Sequence, residues 1–563
     1  MNSRVADGPQ TLKARAGIFA AAVFSLAAPW WAPHFQVLHN RTLFLAADSF
    51  VLLGLALLAG LAAEKFLPDA CLSAAEAGIS FLRRHSLAAA AAASVLVLAG
   101  LMALNRNVLH SFMNSADEHS CYFLAECFRL GKWWVKPHPL SEFFNVVHVG
   151  NRDGKWFSVY PPGWPLLLAL GLQFHVQDWL NPVMSALSLP FIYFAGRKAL
   201  GSGTAAAAAV LITAVCPFFL FTSAGYYSHP ACLLVMAVFA LAFFQWQDAR
   251  SPGTRMAWAC LAAAAVGYGL ATRYLTMAAF SMPFLLYHYY PVLQRKRALR
   301  ADDVAVALII AAFMAVVLFQ NYIVTGKITK APNKYDKSWE RLGFMSDYTP
   351  VDGLVFLLAR SFYLMDWMPP LLYVLSFAAL AGKREESAPQ KILRFSFWYP
   401  ALAYFFYFSW GGNQWGPRYW YEGFPFLMLA LADGLRLWWR TGSAGLKKFL
   451  LAGLVVSVAA AGYEYAKQAA FYEAASRERK ALYVKAEAEL SKPSIVFIKG
   501  FLGDTLVMSE DDAVRNAPSL DARILYAHDR GADNSRLRAY YPGRECYRGT
   551  FDRAAKQARL EKI

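Results

Sequence analysis

Residues 111–134 read SFMNSADEHSCYFLAECFRLGKWW, and residues 151–171 read NRDGKWFSVYPPGWPLLLALG. In the first stretch CYFLAECFRL carries apolar residues at helical spacing, but it is too short to cross a bilayer. In the second, Asp153-Gly154 marks a hairpin turn between strand-like pieces, and Pro161-Pro162 opens another short apolar helix. Gln173, His175 and Asp178 then end the apolar run. Two helices lying at a membrane surface, with a hairpin between them, are therefore expected over 106–179. The flanks explain why a membrane is involved. Apolar stretches of span length recur from about residue 16 to residue 463. We read thirteen, near 16–33, 43–64, 87–105, 180–197, 204–222, 229–246, 257–272, 274–291, 303–323, 364–381, 394–410, 421–439 and 446–463.

Composition supports this reading. Of 563 residues 57% are hydrophobic and 17% charged, whereas soluble domains carry more charge. Disorder, collagen and small disulfide scaffolds are excluded. Aromatic residues make up 15%, which suits membrane interfaces. The net charge of +17 would suggest nucleic acid in a soluble chain. Here the basic residues sit mostly on short loops between spans, so no nucleic-acid partner is inferred. The seven Cys are scattered without a CxxC pair, so neither a metal cluster nor a disulfide framework is expected.

Lys/Arg asymmetry orients the spans. Loops carrying Lys13 and Arg15, Lys65, Arg83 and Arg84, Arg250 and Arg255, and Lys383 and Arg384 are assigned to the cytoplasm. The opposite short loops carry Arg41, Arg273 and Arg418. The N-terminus is then inside, its first apolar stretch retained as an anchor, and the odd span number puts the tail outside. Three regions result: an N-terminal transmembrane hairpin with its cytoplasmic loop (1–86), a transmembrane region (87–463) with long external loops at 106–179 and 324–363, and an external α/β domain (464–563). The tail opens with a helical stretch over 464–490, followed by strand-like SIVFI (494–498) and ILY (524–526). The expected fold is mainly α and polytopic.

Asp117-Glu118 admits two readings. Acidic residues favour a helix start and serve as caps. A carboxylate there also suits proton abstraction from an attacking hydroxyl. The order of elements adds a resemblance. ADEHSCYFLA (116–125), YPPGWPLLLALG (160–171), YYSHP (226–230), LATR (270–273), NYIVTGK (321–327) and GPRYWYEGFP (416–425) follow one another as they do in the GT-C superfamily of polyprenyl-phosphate-sugar glycosyltransferases. The chain most resembles the branch of protein O-mannosyltransferases and lipid A aminoarabinose transferases.

The resemblance implies an inverting glycosyltransferase in a bacterial cytoplasmic (inner) membrane. Its donor would be a polyprenyl-phosphate-linked sugar, and its acceptor a hydroxyl on a glycan, lipid or protein. Asp117 is the implied base, with Glu118 orienting it or capping the helix. A leaving phosphate needs fixed positive charge. Arg273 and Arg418 are the expected clamp, since guanidinium binds phosphate bidentately and stacks on rings such as Tyr419. Two departures concern the site. Tyr160 stands where aminoarabinose transferases carry Lys, and Lys155 is the candidate to reach the same phosphate. Tyr160 is itself assigned to the donor phosphate, and His229, which stands where relatives often carry Asp, is with Asp153 and Tyr419 a candidate for the acceptor or cavity. A single His is too little for a metal site, so no cofactor is expected to be required. The first external loop is also long, and Trp133, Trp134, His138, Phe143 and Phe144 there suit an acceptor site or a packed lid. In the second, Lys327, Lys330, Lys334, Tyr335, Lys337 and Arg341 suit a mobile cover. Asp48 and Asp366 are intramembrane carboxylates, Asp366 near enough the outer end to join the cavity. The competing class is a transporter or flippase of a polyprenyl-linked saccharide.

Overall fold

Proline breaks several of the apolar stretches into shorter helices. The computed structural model describes residues 9–35, 37–38, 41–42, 47–335, 342–382, 385–411, 414–499, 513–552 and 554–563. Among these, Ala47–Phe66, Ser86–Asn107, His229–Asp248, Ala301–Thr325 and Ala444–Glu489 are long and apolar enough to cross a membrane. The chain is a mainly helical, multi-pass membrane protein with a small sheet near its C-terminus.

Several expected spans are reshaped. The stretch 204–222 is two helices, Gly203–Val215 and Pro217–Ala224, bent by 64°, because Pro217 has no N–H to continue the first ladder. The stretch 364–381 is cut at Met368-Pro369: Pro350–Trp367 ends and Pro370–Ala381 begins. The stretch 394–410 is not one helix but short pieces, Ala388–Arg394, Trp398–Ala403 and a 3-10 turn Tyr404–Phe406. The last expected span runs on into the expected tail helix as one 46-residue helix, Ala444–Glu489.

The helical run Pro252–Leu293 has a non-helical residue inside it, Arg273 (φ −145°, ψ 78°). Near its start Arg255 reaches Asp302, and near its end His288 reaches Asp303 at 2.8 Å. The run therefore doubles back at Arg273, which matches the expected pair 257–272 and 274–291. Arg273 is thus carried at the tip, on the opposite side from the Asp302-Asp303 pair.

The helices Ala116–Arg129 and Gly163–Gln173 occupy the stretches where the sequence predicts two short helices. Between them Val149–Arg152 pairs with Lys155–Ser158, and Asp153 (φ 54°) and Gly154 (φ 71°) make the turn, as an Asp-Gly hairpin requires. In the tail, Ser494–Ile498 lies parallel to both Ile524–His528 and Glu545–Asp552, and Gln557–Lys562 closes the sheet antiparallel. Phe123, Leu124, Phe143, Phe144 and Trp156 share one apolar core with Ile495, Phe497, Leu525 and Leu537. The 106–179 segment and the tail domain are therefore packed as one body. Phe143 and Phe144 are buried in it, and His138 contacts the Tyr540 and Tyr541 rings, so this part of the loop is packed core.

Candidate active site

Ser115 starts the surface helix, and the local sequence Ser-x-x-Glu makes a capping box. The Ser115 hydroxyl accepts from the Glu118 N–H at 3.2 Å. Glu118 Oε2 accepts from the N–H groups of Asn114 (2.6 Å) and Ser115 (3.0 Å), and Oε1 accepts from the Tyr226 N–H (2.6 Å). Glu118 is buried. Burial pushes its carboxyl up to about 7, against the backbone donors that favour the charged form. The helix turn that consumes Glu118 points Asp117 the other way, into a cavity of about 70 Å³. The cap and the cavity-facing carboxylate, alternatives in the sequence, are two neighbouring residues here.

Asp117 Oδ2 pairs with Arg418 Nη2 at 3.1 Å, and Oδ1 accepts from the Tyr160 hydroxyl. Burial alone would raise this carboxyl; Arg418, His148 and the Tyr160 hydroxyl outweigh it and hold the group at about 2. It is a carboxylate at any physiological pH. Arg418 is presented by the Gly416-Pro417 turn. Gly416 has φ 77°, and a Cβ there would meet the Phe218 and Trp367 rings at 2.9–3.0 Å, so this close approach needs glycine. Arg418 Nη1 donates to the Tyr227 hydroxyl at 2.8 Å.

The second cation sits across the cavity. Arg273 pairs with Glu422 at 2.7 Å, and Nη2 donates to the Tyr404 hydroxyl at 3.1 Å. His229 Nδ1 lies 3.0 Å from the same Glu422 oxygen, which anchors His229 in the cavity wall. Tyr419 stacks on Tyr404 with centroids 4.4 Å apart, and the guanidinium groups of Arg273, Arg360 and Arg418 lie 5.7–5.9 Å from its ring. Asp117, Tyr160, His229, Arg273, Arg418 and Tyr419 all line one cavity.

Two expected site residues lie elsewhere. Asp153 is exposed at the hairpin turn, where its left-handed backbone is its role. Lys155 Nζ donates to the Ile323 (2.7 Å) and Val324 (3.3 Å) carbonyls, capping the C-terminal end of Ala301–Thr325. Asp366 is also outside the cavity. With Asp48 and Glu464 it surrounds the Lys467 ammonium at 3.4, 2.6 and 2.8 Å. These three carboxylates are close enough to share an ion, and Lys467 supplies the cation. In the 324–363 segment Lys337 and Arg341 lie outside the described residues. Sequence reading missed Glu422, Tyr404 and Arg360. The signal for Glu422 was present: a lone acid in an aromatic, apolar segment needs a cation.

No family model and no curated sequence matches the chain. Solved structures similar to it include ArnT from Cupriavidus metallidurans bound to undecaprenyl phosphate, at 13% identity and TM-score 0.48 over 82% of this chain and 93% of that one. The archaeal oligosaccharyltransferase AglB from Archaeoglobus fulgidus, in complex with an inhibitory peptide and a dolichol-phosphate, has 12% identity and TM-score 0.42 over 75% and 63%. Arabinofuranosyltransferase AftD from Mycobacteria has 12% identity and TM-score 0.39 over 72% and 29%. At such values, the functional reading rests on the chain's own residues.

Proposed function

We propose that the protein is an inverting glycosyltransferase that moves a sugar from a polyprenyl-phosphate donor to a hydroxyl acceptor on the outer face of the cytoplasmic membrane. The observation that carries this reading is the cavity itself: an ionised carboxylate, Asp117, flanked by two guanidinium groups, Arg418 and Arg273, within a tyrosine-rich wall. The acceptor hydroxyl gives its proton to Asp117 as its oxygen attacks the anomeric carbon. The bond from that carbon to the phosphate oxygen breaks on the far side, and the phosphate leaves with the electron pair, inverting the centre. Arg418 and Arg273 take the growing phosphate charge.

The Asp117–Arg418 pair adds a step. In the donor-free protein Arg418 neutralises the base. A phosphate that draws Arg418 away frees one carboxylate oxygen and raises its proton affinity, so donor binding switches the base on. The topology proposed with this chemistry has the N-terminus inside and the tail, with both long loops, outside. Purified protein given a polyprenyl-phosphate sugar tests the reading. Asp117→Asn keeps the size and one acceptor oxygen but cannot take a proton. Turnover is expected to fall roughly 10²–10⁴-fold with donor binding retained; an Asp117→Asn rate equal to wild type ends the proposal.

A further inference from the structure

The stretch that leads into the Asp117 helix is not self-supporting. His110 (φ 54°) and Ser111 (φ 46°) are consecutive non-glycine residues in the left-handed region, which persist only where the surroundings hold them. The long helix Ala444–Glu489 does much of the holding. Lys480 Nζ donates to the His110 carbonyl at 2.8 Å, Glu473 lies 3.2 Å from the His110 ring, and Arg515 of the tail donates to the Met113 carbonyl.

Asn114 is the junction. Its side-chain oxygen accepts from Ser476 Oγ at 2.9 Å, and its carbonyl accepts from Arg479 Nη1 at 2.7 Å. Its side-chain amide donates to the Phe112 carbonyl at 2.9 Å, and its N–H donates to Glu118. The Asn114 carbonyl also accepts from Gln414 Nε2; Gln414 Oε1 accepts from the Tyr227 hydroxyl, whose oxygen accepts from Arg418. Arg418 pairs with Asp117, three residues beyond Asn114. The hydrogen bonds close a ring through both members of the catalytic pair. Ser476 and Arg479 enter it from a helix that continues into the external domain, and both are buried.

We propose that Ser476 and Arg479 are positioning residues: acting through Asn114, they hold the start of the surface helix so that the Asp117 carboxylate faces Arg418 and the acceptor. The inference rests on the proposed function above, because it is the transfer reaction that needs Asp117 placed. It makes the external domain part of the catalytic apparatus, since that domain bears directly on the segment that aims the base.

The test compares Arg479→Met, Arg479→Lys and Ser476→Ala with Lys485→Met, at a residue on the same helix paired to Glu489 and away from Asn114 and His110. Full-length protein is assayed with a polyprenyl-phosphate sugar, and Asp117→Asn runs in parallel. Arg479→Met is expected to lower kcat roughly 10- to 100-fold, the scale of a displacement of about 1 Å, with the donor KM nearly unchanged. Its kcat/KM profile gains an acid limb at higher pH, because a carboxylate no longer facing Arg418 regains proton affinity. Amides of residues 116–122 exchange deuterium faster. Arg479→Lys recovers part of the rate, and Lys485→Met matches wild type. Should Arg479→Met fail to fold, Ser476→Ala decides, with an expected loss of a few-fold in kcat. Wild-type kcat and exchange in the folded variants, beside an inactive Asp117→Asn, overturn this inference and leave the functional reading standing. An unimpaired Asp117→Asn instead removes the functional reading, and this inference with it.

Discussion

Asp117 and Glu118 are adjacent acids, and the structure gives them opposite phenotypes. Consider Glu118→Gln. Both carboxylate oxygens of Glu118 are surrounded by donors: Tyr226 N–H on Oε1, and Asn114 N–H, Ser115 N–H and Ser115 Oγ on Oε2. Glutamine replaces one oxygen with an NH₂ that donates and cannot accept. Turned toward Tyr226, it orphans one buried N–H; turned toward Asn114 and Ser115, it orphans two. Each unsatisfied buried group costs about 1–3 kcal/mol, so the better rotamer still loses at least that much. The expected result is a lowered thermal midpoint, with turnover per folded molecule largely kept. Asp117→Asn, by contrast, loses its turnover. The assay is thermal unfolding in detergent beside transfer rate at saturating donor. A Glu118→Gln protein as stable as wild type refutes the capping assignment, and a Glu118→Gln protein that is stable but inactive makes Glu118 the base.

Four further expectations follow from the site. Arg418→Ala should weaken polyprenyl-phosphate binding by about 1.5–3 kcal/mol, roughly 10- to 150-fold, with Lys restoring part; unchanged binding moves the clamp elsewhere. Arg273→Ala leaves the fully buried Glu422 without its cation and should cost about 3–5 kcal/mol, partly regained on adding Glu422→Gln; an unshifted unfolding midpoint for the single variant contradicts this. Because Asp117 is depressed from 3.8 to about 2, its pairing contributes stability that is complete above its ordinary pKa and lost as pH falls through about 2. The donor-free enzyme's kcat/KM should accordingly show no Asp117 limb between pH 5 and 7; a limb there that vanishes in Asp117→Asn counts against the ion pair. Cysteines at the exposed positions Asn151 and Ser535 should both react with a membrane-impermeant maleimide in intact spheroplasts, and protection of either until lysis inverts the topology of that region.

Short-range chemistry made much of this protein legible in its sequence. Asp153-Gly154 specifies a hairpin turn within two residues, the acidic pair Asp117-Glu118 a helix start, and apolar periodicity two short helices and the long apolar helices. Proline misled the reading where helix and loop share apolar composition. Hydropathy over 204–222, 364–381 and 394–410 registers burial and is blind to a missing N–H, so Pro217 and the Met368-Pro369-Pro370 step broke what looked continuous. The candidate site divided along the same line. Arg273 and Arg418 stood out because each is a charge at the rim of an apolar segment, which local sequence is enough to see, whereas the resemblance, not the local sequence, singled out Asp117. Their partners are set by contacts between residues far apart in the chain: Asp117 with Tyr160 and Arg418, Arg273 and His229 with Glu422, Lys155 with the end of a helix 168 residues away. A charge withdrawn from water must be compensated by whatever the fold brings within about 3 Å, and only the tertiary packing decides which group that is.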